Sequence, residues 1–370
     1  MESSAINRPA RPKLQLKPLA QSRGNVPPGS LVISDVFTSS ESHGVEVAKA
    51  AWSIGFQGSV FYQQAQNEPT GELQAAYQAL GSLAESELKP EESKQALETY
   101  ALGPPLHMLT TGVDEVRRAS LSGMKNSVLN LSSGTCKAQI AGDLYRIVSG
   151  AWKQPDEQSL NVVNNISRLF GLEKSRLLSE TPEEANLERQ KLQQSLIDSV
   201  DSAWRNEPRI NEERGKFQKA VKELEANNNS VVIAAGNEGL IKPGFEFETG
   251  LAVTVPQDFE ENVLECPDVT AVGATIILDG QEAPARYSSE WLGVDVYTSG
   301  DAQPGQEFDE RQGLGHGSSL AAPRVGAVMA RLHGENSQLT SLQVEKELQA
   351  LSKGESSILK SDVAQGYLAN

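Results

Sequence analysis

Cysteine is scarce in this chain of 370 residues, which has only Cys136 and Cys266. Two are too few for a disulfide framework, and so low a number fits a reducing compartment. Histidine is almost as sparse, with His43, His107, His316 and His333 making four. So few soft ligands argue against a metal cluster, and no cofactor is implied. Basic residues are outnumbered: 33 Lys and Arg stand against 49 Asp and Glu, a formal net charge of −16. Nucleic acid and anionic membranes both attract positive charge, so neither is an expected partner. No apolar run reaches membrane-spanning length. The N-terminal stretch "MESSAINRPARPKLQLKPLAQSRGNVPPGS" has no apolar signal-peptide core; it is basic and Pro-rich, with Glu2 its only acid. Residues 1–29 read as a flexible arm, and the expected location is cytoplasmic. Internal repeats and strongly low-complexity tracts are lacking as well.

What is present is length and alternation. The chain is long enough for a well-buried core. Short apolar runs read as strands: "LVIS" at 31–34, "GSVFYQQAQ" at 58–66, "SVLNLSSG" at 127–134, "NSVVIAAGNEG" at 229–239, "DVTAVGAT" at 268–275 and "GVDVYTSGD" at 293–301. Between them lie helical patterns. Val47, Ala48, Ala51 and Trp52 fall three and four apart after His43. Residues 70–101 read as a helical stretch closed by Pro104 and Pro105, and "GVDEVRRASLSG" as a separate helix. A long helical region runs from about 137 to 227, where Leu192, Leu196, Val200 and Trp204 form one stripe and Phe217, Val221 and Leu224 a second. Helices are expected again over 319–332 and 339–351. Buried strands alternating with helices predict an α/β fold, a mostly parallel sheet with helices on both faces.

Chemistry concentrates at strand ends and helix starts. In "GHGSSLAAPRVGAVMARL" (315–332), Ser318 and Ser319 stand where a Gly-containing loop meets a helix, with Pro323 in its first turn. A helix N-terminus offers unpaired N–H groups, so a serine there either caps the helix or sits beside donors for an oxyanion. Asn237 follows a buried strand; it is a turn residue or a side-chain N–H donor at the carboxyl end of the sheet, where ligands bind. Asp35 ends a strand and His43 opens a helix, eight residues apart. A serine hydroxyl needs a base, and the base needs an orienting group, so Asp35, His43 and a serine could together fill those roles.

These segments resemble the subtilisin-like serine peptidases, the subtilases. "GHGSSLAAPRVGAV" is similar to the family's Gly-Thr-Ser-Met-Ala-Ala-Pro-His-Val-Ala-Gly segment, which implies Ser319 as nucleophile. "VVIAAGNEG" resembles the oxyanion segment, implying Asn237 together with the Ser319 backbone. "SHGVEVAKAA" resembles the His-Gly-Thr-His-Val-Ala segment and implies His43 as general base. "LVISD" resembles the aspartate strand and gives Asp35 the orienting role. "SVLNLSSG" resembles the substrate-binding strand, so Ser132, Ser133 and Gly134 are expected to pair with an extended polypeptide substrate. By the same likeness Ala235 and Gly236 line the specificity pocket, with Glu238 near its rim. The order Asp, His, Ser is the subtilisin order. The resemblance spans roughly residues 30–65, 105–135 and 225–352.

Three features depart from the family. The loop commonly found between the Asp and His segments is missing. About 95 residues separate "NLSSGT" from "VVIAAGN", where one helix commonly suffices. This predicts a single peptidase domain over 30–370 with a helical insertion at about 137–210. That insertion either covers the sheet or receives a regulatory partner. Finally, only about 30 residues precede the Asp35 strand, and no segment clearly encodes a calcium site. The expected function is a serine endopeptidase; the alternative is an inactive or self-restrained subtilase-fold protein that binds a partner.

Overall fold

In the computed structural model, residues 16–19, 26–39, 42–65, 71–153, 157–179, 181–278, 280–302, 315–352 and 357–369 are described. The apolar runs become β1 (Leu16–Pro18), β2 (Leu31–Asp35), β3 (Val60–Gln64), β4 (Val128–Leu131), β5 (Ser230–Ala234), β6 (Thr270–Leu278), β7 (Gln281–Pro284) and β8 (Val296–Ser299). Among the described residues they form one sheet in the order β1-β3-β2-β4-β5-β6-β7, with β8 also paired to β6. All pairings are parallel except the β6–β7 hairpin. Every residue of β2, β4 and β5 is buried, as a parallel sheet covered on both faces requires.

The helices are α1 (His43–Ser53), α2 (Gly71–Glu85), α3 (Pro90–Leu121), α4 (Lys137–Lys153), α5 (Glu157–Phe170), α6 (Lys174–Leu177), α7 (Pro182–Asn206), α8 (Pro208–Glu225), α9 (Ile241–Thr249), α10 (Ser318–Glu335), α11 (Ser341–Leu351) and α12 (Ser361–Ala369). Side chains along a strand alternate between faces, and so the core is divided. Leu31, Ile33, Val128 and Val232 point to a layer built on α1, α10 and α11, whereas Val32, Leu129, Leu131, Val231 and Ile233 point to the layer of α3, α4, α7 and α8. No helix of the described residues is long and apolar enough to cross a membrane.

Two expectations are corrected. Leu16–Pro18, assigned to a flexible arm, pairs in parallel with β3 from Leu16 opposite Val60, and Leu19 beside it is buried. The edge of β3 offers unpaired backbone groups, and proline is tolerated on the outermost strand that covers them. Residues 1–15 and 20–25 of that arm lie outside the described residues. Pro104 and Pro105, assigned to a helix end, lie inside α3, and "GVDEVRRASL" continues the same helix. Each proline removes the N–H that would reach four residues back, which leaves the Tyr100 and Ala101 carbonyls without those donors. The indole N–H of Trp204 on α7 donates to the Ala101 carbonyl at 2.9 Å and fills one gap from outside the helix.

Helices α4–α8 occupy the interval between β4 and β5. Leu192, Leu196, Val200, Trp204, Phe217, Val221 and Leu224 are all buried in the same core as Leu129 and Ile233. At the start of α4, buried Lys137 donates to Asp201 Oδ1 on α7 and to Asp258 Oδ2, each at 2.7 Å. Its ammonium also lies 5.9 Å from the centre of the Trp204 ring.

Candidate active site

Parallel strands end together, so the residues just past their carboxyl ends share one rim. Asp35 is the last residue of β2, Ser132 the first past β4, and Asn237 the third past β5. The Gly44 N–H in the first turn of α1 donates to the Val36 carbonyl just past β2 at 3.0 Å, which is how Asp35 and His43 meet over a spacing of eight. Asp35 is buried at 5% exposure. Both its oxygens lie 2.9 Å from His43 Nδ1, and Oδ1 also accepts the Val36 N–H at 2.6 Å. The other imidazole nitrogen, Nε2, is 3.0 Å from Ser319 Oγ. The hydrogen bond to Asp35 raises the His43 pKa above its ordinary 6.5, burial opposes the rise, and the Asp35 charge adds to it.

Ser318 and Ser319 part company here. Ser318 is fully buried; its Oγ accepts the Gly236 N–H at 3.1 Å, and its own N–H donates to Asn237 Oδ1 at 2.8 Å. Ser318 therefore ties α10 to the loop after β5, while Ser319 faces His43. With Oδ1 engaged, the Asn237 carboxamide has its Nδ2 hydrogens left to give. The Ser319 N–H is in the first turn of α10, where no intrahelical acceptor exists. Ser132 Oγ receives a hydrogen bond from Asn130 Nδ2 at 2.6 Å and donates to the Ser319 carbonyl at 3.2 Å, which steadies the helix start.

A cavity of about 240 Å³ opens beside His43 and Ser319. Ser132, Ser133, Gly134, Ala235, Gly236, Asn237 and Glu238 all line it. Glu238 is turned inward, with its carboxylate engaged by the loop itself, and burial raises its pKa. Other lining residues escaped the sequence reading. Cys136 and Gln139 come from the start of α4, and burial pushes the Cys136 thiol pKa well up. Asn262 holds the end of β5 by donating to the Ala234 carbonyl at 2.7 Å. Cys136 directly follows "NLSSGT" and could have been found by adjacency; Asn262 lies in an irregular turn with no local signal. The described residues contain no group of three or more His, Cys, Asp or Glu able to hold a metal ion.

A buried carboxylate, an imidazole and a serine hydroxyl joined in a line are the constellation of serine hydrolases, recognised by geometry rather than by sequence position. The subtilase family model, Peptidase S8, matches residues 34–367. The chain belongs to the subtilase family, whose members are serine peptidases. Among solved structures it is similar to the nisin leader peptidase NisP from Lactococcus lactis, at 14% identity and a TM-score of 0.44, covering 94% of this chain and 90% of that one. It is also similar to a lanthipeptide protease, at 12% identity and a TM-score of 0.40, with 92% and 87% covered. A cold adapted subtilisin-like serine proteinase matches at 13% identity and a TM-score of 0.40, with 90% and 88% covered. The sequence matched no curated protein.

Proposed function

We propose that this chain is a serine endopeptidase that cleaves polypeptides through an acyl-enzyme on Ser319. A serine hydroxyl is a weak nucleophile until a base removes its proton. His43 Nε2 is within hydrogen-bonding reach of that proton, at 3.0 Å from Ser319 Oγ. Ser319 Oγ attacks the scissile carbonyl carbon while His43 takes the proton. Asp35 holds the proton-bearing Nδ1 and stabilises the imidazolium. The tetrahedral oxyanion takes hydrogen bonds from Asn237 Nδ2 and the Ser319 N–H. His43 then returns the proton to the leaving amine, and a water molecule activated by the same imidazole hydrolyses the ester.

An extended substrate would pair its backbone with Ser132, Ser133 and Gly134 in the manner of an added strand. Its side chain before the scissile bond would enter the cavity past Ala235 and Gly236. The observation that carries this reading is the His43 bridge, one nitrogen on Asp35 and the other on Ser319.

Fluorophosphonate labelling of the purified protein and its Ser319→Ala variant tests it, with mass-spectrometric scoring of cleavage in unfolded polypeptides. The wild type is expected to label and cleave. The variant is expected to do neither, with kcat down by about 10⁶, the loss known for subtilisin, a member of this family, rather than a value worked out from this structure. Labelling of both proteins would move the nucleophile elsewhere, and labelling of neither would overturn the reading.

A further inference from the structure

Glu238 follows Asn237 directly, and its carboxylate faces back into the loop. Glu238 Oε2 accepts the Asn237 backbone N–H at 2.7 Å and the Ser289 hydroxyl at 3.1 Å. Ser289 is fully buried; its Oγ accepts the Glu238 N–H at 3.1 Å, and its N–H donates to the Gly236 carbonyl at 3.1 Å. One carboxylate thus gathers donors from the Asn237 loop and the Ser289 turn. Burying a carboxylate is costly unless hydrogen bonds satisfy it, so this placement implies a task.

The task follows from Gly236. Its φ is +118°, a conformation open mainly to glycine. A Cβ there would lie 2.4 Å from Glu238 Oε2 and 2.8 Å from Ser289 Oγ, so only glycine leaves room for the carboxylate. The same freedom would let the 236–237 peptide plane rotate, taking the exposed Asn237 side chain with it. An oxyanion donor is effective only when held in place before the charge develops.

We propose that Glu238 is a positioning residue: its carboxylate clamps the Asn237 backbone, so that the carboxamide sets Oδ1 on Ser318 and keeps Nδ2 for the oxyanion. The proposal rests on the peptidase reading. It assigns Glu238 to kcat rather than to the recognition of substrate charge.

The test is a double-mutant cycle of Glu238→Ala and Asn237→Ala, with Glu238→Gln and Ser289→Ala beside it, on peptides with Lys, Leu or Glu before the scissile bond. Glu238→Ala should lower kcat by ~10- to 100-fold for all three peptides with KM nearly constant, the size expected for a misplaced catalytic group. Glu238→Gln keeps an acceptor oxygen and should restore most of the rate. In the Asn237→Ala background the Glu238→Ala loss should nearly vanish, because its target is gone. Losses that simply multiply would overturn the clamp, as would a loss confined to the Lys peptide. Amide hydrogen exchange at Asn237, measured on Ser319→Ala protein, gives a readout free of activity. Glu238→Ala should speed it at least ~10-fold, and Ser289→Ala, the milder change, by less. Unchanged exchange overturns the clamp even if Glu238→Ala folds poorly and only Ser289→Ala can be read. A wild type that cleaves nothing would defeat the peptidase reading, while exchange would still decide the clamp.

Discussion

On one face of the sheet, Leu31, Ile33, Val128 and Val232 meet α1 and α10 through alanines: Ala48, Ala51, Ala321, Ala322, Ala327 and Ala330 are all buried there. On the other face, Val32, Leu129, Leu131 and Ile233 meet Leu192, Leu196, Trp204 and Phe217. Small residues let a helix lie close to a sheet, where close packing leaves it little room to shift. Large residues fill a wider gap and tolerate more rearrangement. His43 heads α1 and Ser319 lies in the first turn of α10, so both helices that carry the proposed reacting groups belong to the alanine face. The leucine-rich face contributes the wall of the cavity, through Cys136 and Gln139 at the start of α4. The division suggests that one face sets the geometry of the chemistry while the other supplies stability and shape.

Among the variants that keep Ser319, Asp35→Asn should have the largest effect, because it removes a charge and leaves the packing of both layers intact. A loss of about 10⁴ in kcat is expected, a size known from serine peptidases including subtilisin of this family. The sign of the pH effect also follows. The proposed reaction needs neutral His43, and the Asp35 hydrogen bond is the largest cause of its raised pKa. Activity in the wild type should therefore rise with pH through a midpoint above 6.5. In Asp35→Asn the residual activity should rise at a lower pH. A pH profile of kcat/KM checks both, and an unmoved midpoint would remove Asp35 from the relay.

Gly326→Val attacks the alanine face directly. A Cβ at 326 would sit 3.0 Å from Leu31 Cδ1 and 3.6 Å from Val128 Cγ1, so the two further methyl groups of valine have nowhere to go without moving α10 off β2 and β4. Overpacking of this kind costs about 1–3 kcal/mol of stability. Because Leu31 and Asp35 share β2, the kcat loss should reach ~100-fold at temperatures where the variant remains folded. Denaturant unfolding beside single-turnover kinetics measures both. A variant that loses stability but keeps kcat would break the comparison.

Much of the α10 and α1 side of this arrangement could be read from contiguous residues. "GHGSSLAAP", "VVIAAGNEG", "LVISD" and "SHGVEVAKAA" are each contiguous, so local pattern taken with the family likeness suffices to nominate Ser319, Asn237, Asp35 and His43. The parallel α/β sheet was legible for the same reason, since β2, β4, β5 and β6 are short, mostly apolar runs. The illegible parts depend on distant partners. Pro104 and Pro105 look like a helix end because the indole that caps Ala101 is 103 residues away. Leu16–Pro18 carries no strand signal of its own; β3 supplies the reason for it to pair. Asn262 and Ser289 enter the site from turns, through hydrogen bonds across 28 and 51 residues. The choice between Ser318 and Ser319 came from likeness, and the physical difference between them lies in Gly236 and His43, which no local window contains.

The leucine-rich face gives the smaller effects, and two variants sharpen what it is for. Leu196→Ala should cost about 2–5 kcal/mol through lost burial and a cavity, with kcat within about twofold of wild type. Trp204→Phe is gentler. It keeps most of the ring but removes the indole N–H, leaving the Ala101 carbonyl with neither the Trp204 donor nor the Pro105 N–H that proline lacks. An unsatisfied buried carbonyl costs about 1–3 kcal/mol, so the denaturant midpoint should fall while kcat holds. The same ring also lies against Lys137, whose bonds to Asp201 and Asp258 hold the start of α4, and Cys136 and Gln139 line the cavity from there. A disturbance reaching the cavity wall by this route would act on substrate fit. It would appear as a change in KM that depends on the size of the side chain before the scissile bond. Stability loss with KM and kcat both unchanged would confine Trp204 to the helix it repairs, and a fall in kcat would mean that the two faces do not divide the work.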